Sequence, residues 1–170
     1  TLIEGIIRVA LFLIYIWLIS KMEDIKRVFM YHGAEHKTIN CLEHGEDLTA
    51  ENIKKYSRLH KRCGTSFLLI VMIVSIVVFM FIRVDSLVWK FVLRILLVPV
   101  VAGISYEFIR LAGRSDSKIV NTLSKPGLYL QYFTTREPDE EMMEVAIKAV
   151  EGVFDWREYL RAMHNGELED

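Results

Sequence analysis

The chain has 170 residues, 52% of them hydrophobic, and a formal net charge of −1 at pH 7. This length suits one domain, and the near-neutral charge argues against nucleic acid as a partner. Cys41 and Cys63 are the two cysteines, too few for a disulfide framework. The apolar residues gather into three long runs, which indicates an integral membrane protein in a lipid bilayer rather than a soluble core.

The first predicted membrane span covers residues 2–20. The chain begins at Thr1 without a methionine and enters this apolar run at once, so we expect it to be a piece of a longer protein. A basic region and a small-residue cleavage site are missing here, which argues against a signal peptide. Glu4 and Arg8 interrupt the run but are four residues apart, so they can pair on one helix face. A helix lying in the membrane interface is the alternative.

Two helices are predicted in the loop of residues 21–63. The first runs from Asp24 to about Leu42, and Gly45 ends it. The second covers residues 50–59 and has Thr49 as its N-cap. The loop is therefore helical and connects the first span to the second.

The second and third predicted spans form a helical hairpin. Residues 64–82 carry no charge over 19 positions, close to the ~20 needed to cross a bilayer core of ~30 Å. Helices in soluble proteins rarely stay apolar on every face for so long, so this span is the clearest. The third covers residues 88–111 and contains Pro99, which is expected to kink it or free a carbonyl. Residues 83–87 supply the turn.

Basic residues decide the predicted orientation. Many lie in the loop of residues 21–63 and several follow the third span, whereas the hairpin turn has little besides Arg83 and Lys90. The positive-inside rule then places the loop and the C-terminus in the cytoplasm and the turn outside. The predicted location is the inner (plasma) membrane, which the chain crosses several times.

The part after the third span is predicted to be a cytoplasmic helical tail. The sequence SKPG at residues 124–127 predicts a break, so we divide the chain into a membrane domain of residues 1–123 and a tail of residues 124–170. Pro138 opens the last predicted helix, whose apolar stripe runs from Met142 to Val153. The predicted fold class is all-α: about three transmembrane helices with a cytoplasmic helical loop and tail.

A candidate metal site begins at residues 31–37, which read YHGAEHK. His32 and His36 lie one helical turn apart on one face, so their imidazoles can share an ion such as zinc or another divalent metal. Glu35, the predicted catalytic residue, lies beside them, where it could take a proton from metal-bound water. This H-x-x-E-H spacing is that of the inverted zincin motif. A solvated helix with two incidental histidines is the alternative.

Further candidate ligands follow in the same loop. His60 and Cys63 form H-x-x-C just before the second span, and we predict that they complete the metal site. Cys41 and His44, near the end of the first loop helix, are possible additional ligands. Cytoplasmic thiols stay reduced, which favours metal or redox chemistry over a disulfide. Simple packing is the alternative for both cysteines.

Glu107 is the last candidate, about one turn inside the predicted cytoplasmic end of the third span. A carboxylate at membrane depth usually faces a partner. Arg110, one turn away, is one possible partner. The metal cluster is the other, with Glu107 as a ligand or as a group that holds a ligand in place.

Five stretches carry a resemblance to a known family. They are YHGAEHK at residues 31–37, LTAEN at 48–52, RCGTSF at 62–67, PVVAGISYEFIRLAGR at 99–114 and SKPGLYLQYFTTREPDEEMMEVAI at 124–147. Over nearly its whole length the chain resembles the YqhQ-like bacterial membrane proteins, described as predicted metal-dependent enzymes and otherwise a domain of unknown function. The resemblance implies a metal but no established substrate or reaction. The family's HPRCGT reads HKRCGT here, and Lys61 in place of proline would loosen the approach to Cys63. Family members also begin with a Gly-rich region that contains further membrane segments, which this sequence lacks.

Three functions compete at this point. The first is a membrane-embedded zinc hydrolase, most simply a peptidase, with Glu35 as the general base. The second is a scaffold or assembly factor for other membrane proteins, in which four protein ligands close a structural metal site. The third is a transporter, which three spans could build only as a homo-oligomer. The sequence places metal binding first and hydrolysis second.

Overall fold

The computed structural model describes residues 2–82, 84–115 and 117–167. Its helices are α1 (Leu2–Ile19), α2 (Glu23–Glu43), α3 (Ala50–Lys54), α4 (Gly64–Met80), α5 (Leu87–Arg114), α6 (Lys118–Thr134), α7 (Glu140–Glu151) and α8 (Trp156–His164). No strand occurs in these ranges, so the predicted all-α class is confirmed. The chain forms two compact units, one of Thr1–Leu18 with Lys61–Gln131 and one of Ile19–His60 with Tyr132–Asp170. The predicted division at residue 124 stays a prediction.

The first unit contains the apolar helices. α1 and α5 are long and apolar enough to cross a membrane, and only 6% of the apolar window of each is buried. A core helix of a soluble protein would be mostly buried, so this exposure favours contact with lipid. α4 has 17 residues and ends at Met80, two residues before the predicted end of that span. The segment that looked clearest in sequence is thus the shortest of the three helices. Arg83, in the predicted turn, lies outside the described residues.

The predicted break at residues 124–127 is wrong, because α6 continues through Pro126. Gly127 provides room for close packing: a Cβ there would lie 2.8 Å from the Cβ of Ser66, at the start of α4. One turn further on, the buried Gln131 donates a hydrogen bond from Nε2 to Ser66 Oγ at 2.7 Å. Packing of α6 on α4 therefore outweighs the weak helix propensity of proline and glycine.

The second unit begins with the loop helices. α2 matches its prediction, and Gly45 follows it with φ 76, the left-handed conformation that favours glycine. The Thr49 side chain accepts from Asn52 N, so the predicted N-cap is confirmed. The predicted length of α3 is wrong, since it ends at Lys54 rather than near residue 59. The chain beyond α3 is bound to α2 instead: Asn40 Nδ2 donates to the backbone oxygens of residues 57 and 59.

The core of the second unit is formed by α2, α3, α7 and α8. The predicted start of α7 at Pro138 is wrong by two residues: Asp139 caps the helix by accepting from Met142 N at 2.9 Å. Its apolar stripe also differs, because Met143 is buried and Val153 is exposed. α8 was not predicted. The buried core residues are Ala34, Cys41, Leu42, Leu48, Ile53, Met142, Met143, Trp156 and Leu160.

Candidate metal centre

Residues 134–137, the docking segment, lie directly against α2. Arg136 N donates to Phe29 O at 2.8 Å. A Cβ on Gly33 would lie 2.0 Å from the backbone oxygen of Arg136, so this approach requires a glycine on that face of α2. The glycine of the YHGAEHK stretch is therefore required for the docking segment to pack against α2.

The two histidines of the motif are oriented by backbone carbonyls. His32 Nδ1 donates to Thr134 O and His36 Nδ1 donates to Arg58 O, each at 2.7 Å. A carbonyl oxygen only accepts, so Nδ1 is the donor in both rings, and in a neutral ring Nε2 would be the metal-binding nitrogen. The ring centroids are 4.3 Å apart. Metal-binding histidines are commonly held in this way, with one nitrogen bonded to the protein and the other available as a ligand.

His32 and His36, both in the second unit, offer two nitrogen ligands to a metal ion, and Cys63 is the thiol that the sequence predicts as a further ligand. The ligand nitrogens of the two histidines lie within 4.8 Å of each other, and His36 and Cys63 are 3% and 4% exposed. Imidazole nitrogen and thiolate sulfur are the ligand types that zinc prefers. Cys63 is the N-cap of α4, and a helix N-terminus favours an anionic group such as a thiolate. The chemistry of these donors fits the predicted metal.

His60 lies beside this group and pairs with a residue that the sequence did not single out. Its ring centroid is 5.8 Å from that of His36, and its Nε2 lies 3.2 Å from Glu43 Oε2. Glu43 is seven residues after His36, two helical turns along one face of α2, and that spacing was the available signal. A carboxylate bonded to a histidine can orient it as a metal ligand or as a proton acceptor.

Two cations clamp the docking segment, and the sequence did not predict either contact. The buried Lys37 donates from Nζ to Glu137 Oε2 at 2.8 Å, and Arg58 Nε lies 3.4 Å from Glu137 Oε1. Arg58 also donates to the backbone oxygen and the hydroxyl of Thr135. The same segment carries the Thr134 carbonyl that orients His32. The clamp therefore supports the geometry of the histidines.

The possible additional ligands have other surroundings. Cys41 is fully buried, and its Sγ donates to Glu46 O at 3.8 Å and to Asp47 O at 3.7 Å. Burial raises the pKa of Cys41 to about 11, so the side chain is a neutral thiol at pH 7. His44 is exposed and donates from Nδ1 to Asn40 O at the end of α2. These environments fit the packing alternative for Cys41 and a capping position for His44.

The two predicted carboxylates lie on exposed surfaces. Glu35 is exposed, while Ala34 and His36 on either side of it in the chain are buried. Arg110 Nη1 donates to Glu107 Oε2 at 3.4 Å, the pairing that was one of the two alternatives for Glu107. The catalytic role of Glu35 and a role for Glu107 at the metal both stay predictions.

Comparisons with known proteins identify relatives but no activity. Residues 1–156 match the family described as "Protein of unknown function (DUF1385)". The "Uncharacterized protein YqhQ" of Bacillus subtilis (strain 168) is 45% identical over 148 residues. That match covers 86% of this chain and 46% of the relative, so the chain spans about half the length of the curated relative. No solved structure matches the chain.

Proposed function

The chain belongs to the DUF1385 family, and we propose that it is a membrane protein that binds zinc through His32 and His36, with Cys63 as the third ligand predicted from the sequence, and uses the ion for hydrolysis. The observation that carries the proposal is the orientation of the two imidazoles. Both Nδ1 atoms donate to backbone carbonyls at 2.7 Å, which is how metal-binding histidines are commonly oriented. Two incidental histidines on a solvated helix would not be expected to share this arrangement.

The membrane part of the proposal rests on the surface of α1 and α5. Large apolar side chains are exposed along both helices, among them Leu11, Ile14, Val92 and Leu96. Exposure of such surfaces to water has a high free-energy cost, whereas contact with lipid does not. We place the loop that carries the two histidines in the cytoplasm, because that loop is rich in lysine and arginine.

Hydrolysis is the reaction class that the ligand set favours. Structural zinc sites usually have four protein ligands, whereas catalytic sites have three and keep one position open. His32, His36 and Cys63, as predicted from the sequence, would supply three. Zinc bound there would supply a water activated as a nucleophile. Glu35 and the Glu43–His60 pair are the proposed acid–base groups, and the pair lies beside the His36 ring.

Metal content is the first test. The purified chain in detergent, analysed by mass spectrometry of its elements, should carry about one zinc ion per protein. His36→Ala and Cys63→Ala should each lose it, because each removes a ligand. His44→Ala is the matched control from the same loop and should retain the ion. Absence of a transition metal from wild-type protein that was prepared without chelators would refute the proposal.

The open coordination position is the second test. Cobalt would replace zinc, and its visible spectrum would be followed as azide is added. A change in the spectrum shows an exchangeable position, as hydrolysis requires, whereas an unchanged spectrum contradicts the catalytic part. Glu35→Gln and Glu43→Gln should both retain cobalt. The variant that loses cleavage of a fluorogenic peptide library identifies the base, and a library left uncut by wild type counts against peptidase activity.

A structural site is the second candidate, favoured by the position of His60. Its ring lies 5.8 Å from that of His36, so a small shift could bring Nδ1 in as a fourth ligand while Glu43 holds Nε2. The metal would then tie the loop into a scaffold for other membrane proteins. His60→Ala separates the two functions: a structural site should lose most of its zinc affinity, whereas a three-ligand site should keep the ion.

A further inference from the structure

A cavity of about 840 Å³ lies within the first unit, between α1, α4 and α5. Its apolar wall includes Phe12, Ile76 and Phe79. Its charged groups are Glu4, Arg8, Asp85, Lys90 and Arg94. Such a concentration of charge is unusual in a unit that otherwise exposes apolar side chains, and it lies near the helix ends that we assign to the outer face of the membrane.

The two arginines lie inside their helices rather than at the ends. Arg8 is six residues from the start of α1 and Arg94 is seven from the start of α5, or about 9 and 10 Å along the helix axes. Charged side chains at such depth are costly to keep in a membrane and commonly mark a binding site or a pathway. Both arginines line the same cavity, so both adjoin the space in which a ligand would bind.

The charge balance of the cavity favours an anion. Among the described residues that line it, three cationic side chains outnumber two carboxylates. The Arg94 guanidinium lies 5.9 Å from the centroid of the Phe79 ring, which holds the side chain through a cation–π contact without neutralising it. Glu4 and Arg8 of α1 line the cavity together with Arg94 of α5, so the charges of the two helices share one environment. A ligand with one negative charge would balance the excess.

We propose that this cavity binds the phosphate of an anionic phospholipid headgroup, with an acyl chain along the wall formed by Phe12, Ile76 and Phe79. Guanidinium groups bind phosphate oxygens in a forked, bidentate geometry, and basic pockets between membrane helices take anionic headgroups. Free inorganic phosphate shares this chemistry and is the other possible source. The proposal rests on the membrane location in the proposed function but is independent of the metal site.

Thermal unfolding of the full chain in a neutral detergent tests the proposal. Dioleoyl phosphatidylglycerol should raise the unfolding temperature in a saturable way, whereas dioleoyl phosphatidylcholine, which has the same chains and no net charge, should not. Arg8→Gln and Arg94→Gln should each weaken the dependence on phosphatidylglycerol at least tenfold. Arg110→Gln, on α5 but outside the lining of the cavity, is the matched control and should leave the dependence unchanged.

Each outcome has one meaning. Inorganic phosphate is tested in the same way. If it stabilises the chain in a saturable way and both arginine variants weaken this effect, the phosphate site is supported and its ligand is soluble. Equal effects of the two lipids, or equal responses of wild type and both arginine variants, would overturn the proposal. If the arginine variants do not fold, Glu4→Gln provides the opposite perturbation: removing a negative charge should tighten binding of phosphatidylglycerol, and weaker binding would contradict the charge argument.

The same samples separate this proposal from the proposed function. Arg94→Gln should retain zinc, and His36→Ala should retain the response to phosphatidylglycerol. Loss of zinc from wild type would count against the metal site alone. If the expressed protein is recovered in the soluble fraction of cells rather than in the membrane, neither the membrane location nor the lipid ligand is supported.

Discussion

Replacement of Gly33 by alanine tests how closely the docking segment must approach α2. The added Cβ would lie 2.0 Å from the Arg136 carbonyl oxygen, and an ordinary contact begins near 3.4 Å. The segment must therefore move by roughly 1.4 Å, since a backbone atom cannot rotate away. This movement would strain two short hydrogen bonds, from Arg136 N to Phe29 O and from His32 Nδ1 to Thr134 O.

The expected loss of stability is about 2–4 kcal/mol. Two hydrogen bonds contribute about 1 kcal/mol each. Separating Lys37 from Glu137 leaves a buried ammonium, which adds about 1–3 kcal/mol after discounting for the exposed carboxylate. The higher helix propensity of alanine returns about 1 kcal/mol. Zinc content should fall as well, because His32 loses the carbonyl that orients it.

Urea unfolding of the full chain in micelles, followed by fluorescence, measures this loss. Trp156 lies in the core of the second unit, and a Trp17→Phe, Trp89→Phe background removes the other two signals. Gly152→Ala is the matched control, because its Cβ would find no atom nearer than 3.5 Å and its φ is −73. It should change stability by less than about 1 kcal/mol. Equal stabilities of the two variants would refute the steric reasoning.

Three other expectations concern thiols and a helix cap. After treatment with EDTA, iodoacetamide should modify Cys63 faster than Cys41, because Cys63 lies at a helix N-terminus whereas Cys41 is a fully buried neutral thiol. Mass spectrometry reads the two rates, and faster labelling of Cys41 would contradict the assignments. Burial raises the pKa of Cys41 from 9.0 to about 11, so the unfolded chain loses this proton first as pH rises. The free energy of unfolding should therefore decline between pH 9 and 11, and a Cys41→Ala variant that declines as steeply would exclude this cause. Asp139→Ala should lower the free energy of unfolding by about 1 kcal/mol, because the hydrogen bond to Met142 N is lost, and Glu140→Ala should lower it less. The urea midpoints of the two variants measure this difference, and equal losses would argue against the cap.

The position of Glu35 shows how much a short motif predicts. The H-x-x-E-H spacing correctly predicts that His32 and His36 share a helix face, because that follows from 3.6 residues per turn. The same geometry turns Glu35 away from the buried His36, and the structure leaves it exposed. Glu43, two turns beyond His36, pairs with His60 instead. The path of residues 57–60 past α2 decides which carboxylate lies beside the histidine rings. Helix periodicity contains no information about that path.

The helix ends show the same difference between local and distant interactions. Thr49 and Gly45 act as predicted because a cap and a left-handed glycine involve only neighbouring residues. α6 runs through Pro126 because Gly127 packs closely on Ser66, more than fifty residues earlier in the chain. α3 ends early, and Asn40 of α2 holds the residues that follow it through the carbonyls of residues 57 and 59. Both departures involve partners distant in sequence.

The sequence by itself therefore determined the all-α class, the apolar helices and the pairing of two histidines on one face. Each follows from composition or helical period, which act over a few residues. Only the tertiary structure decided that Gly33 admits the docking segment, that the Thr134 and Arg58 carbonyls orient the two imidazoles, and that Glu43 holds His60. These contacts join residues 17 to 103 positions apart, and a hydrogen bond at that separation exists only once packing has brought its two groups together.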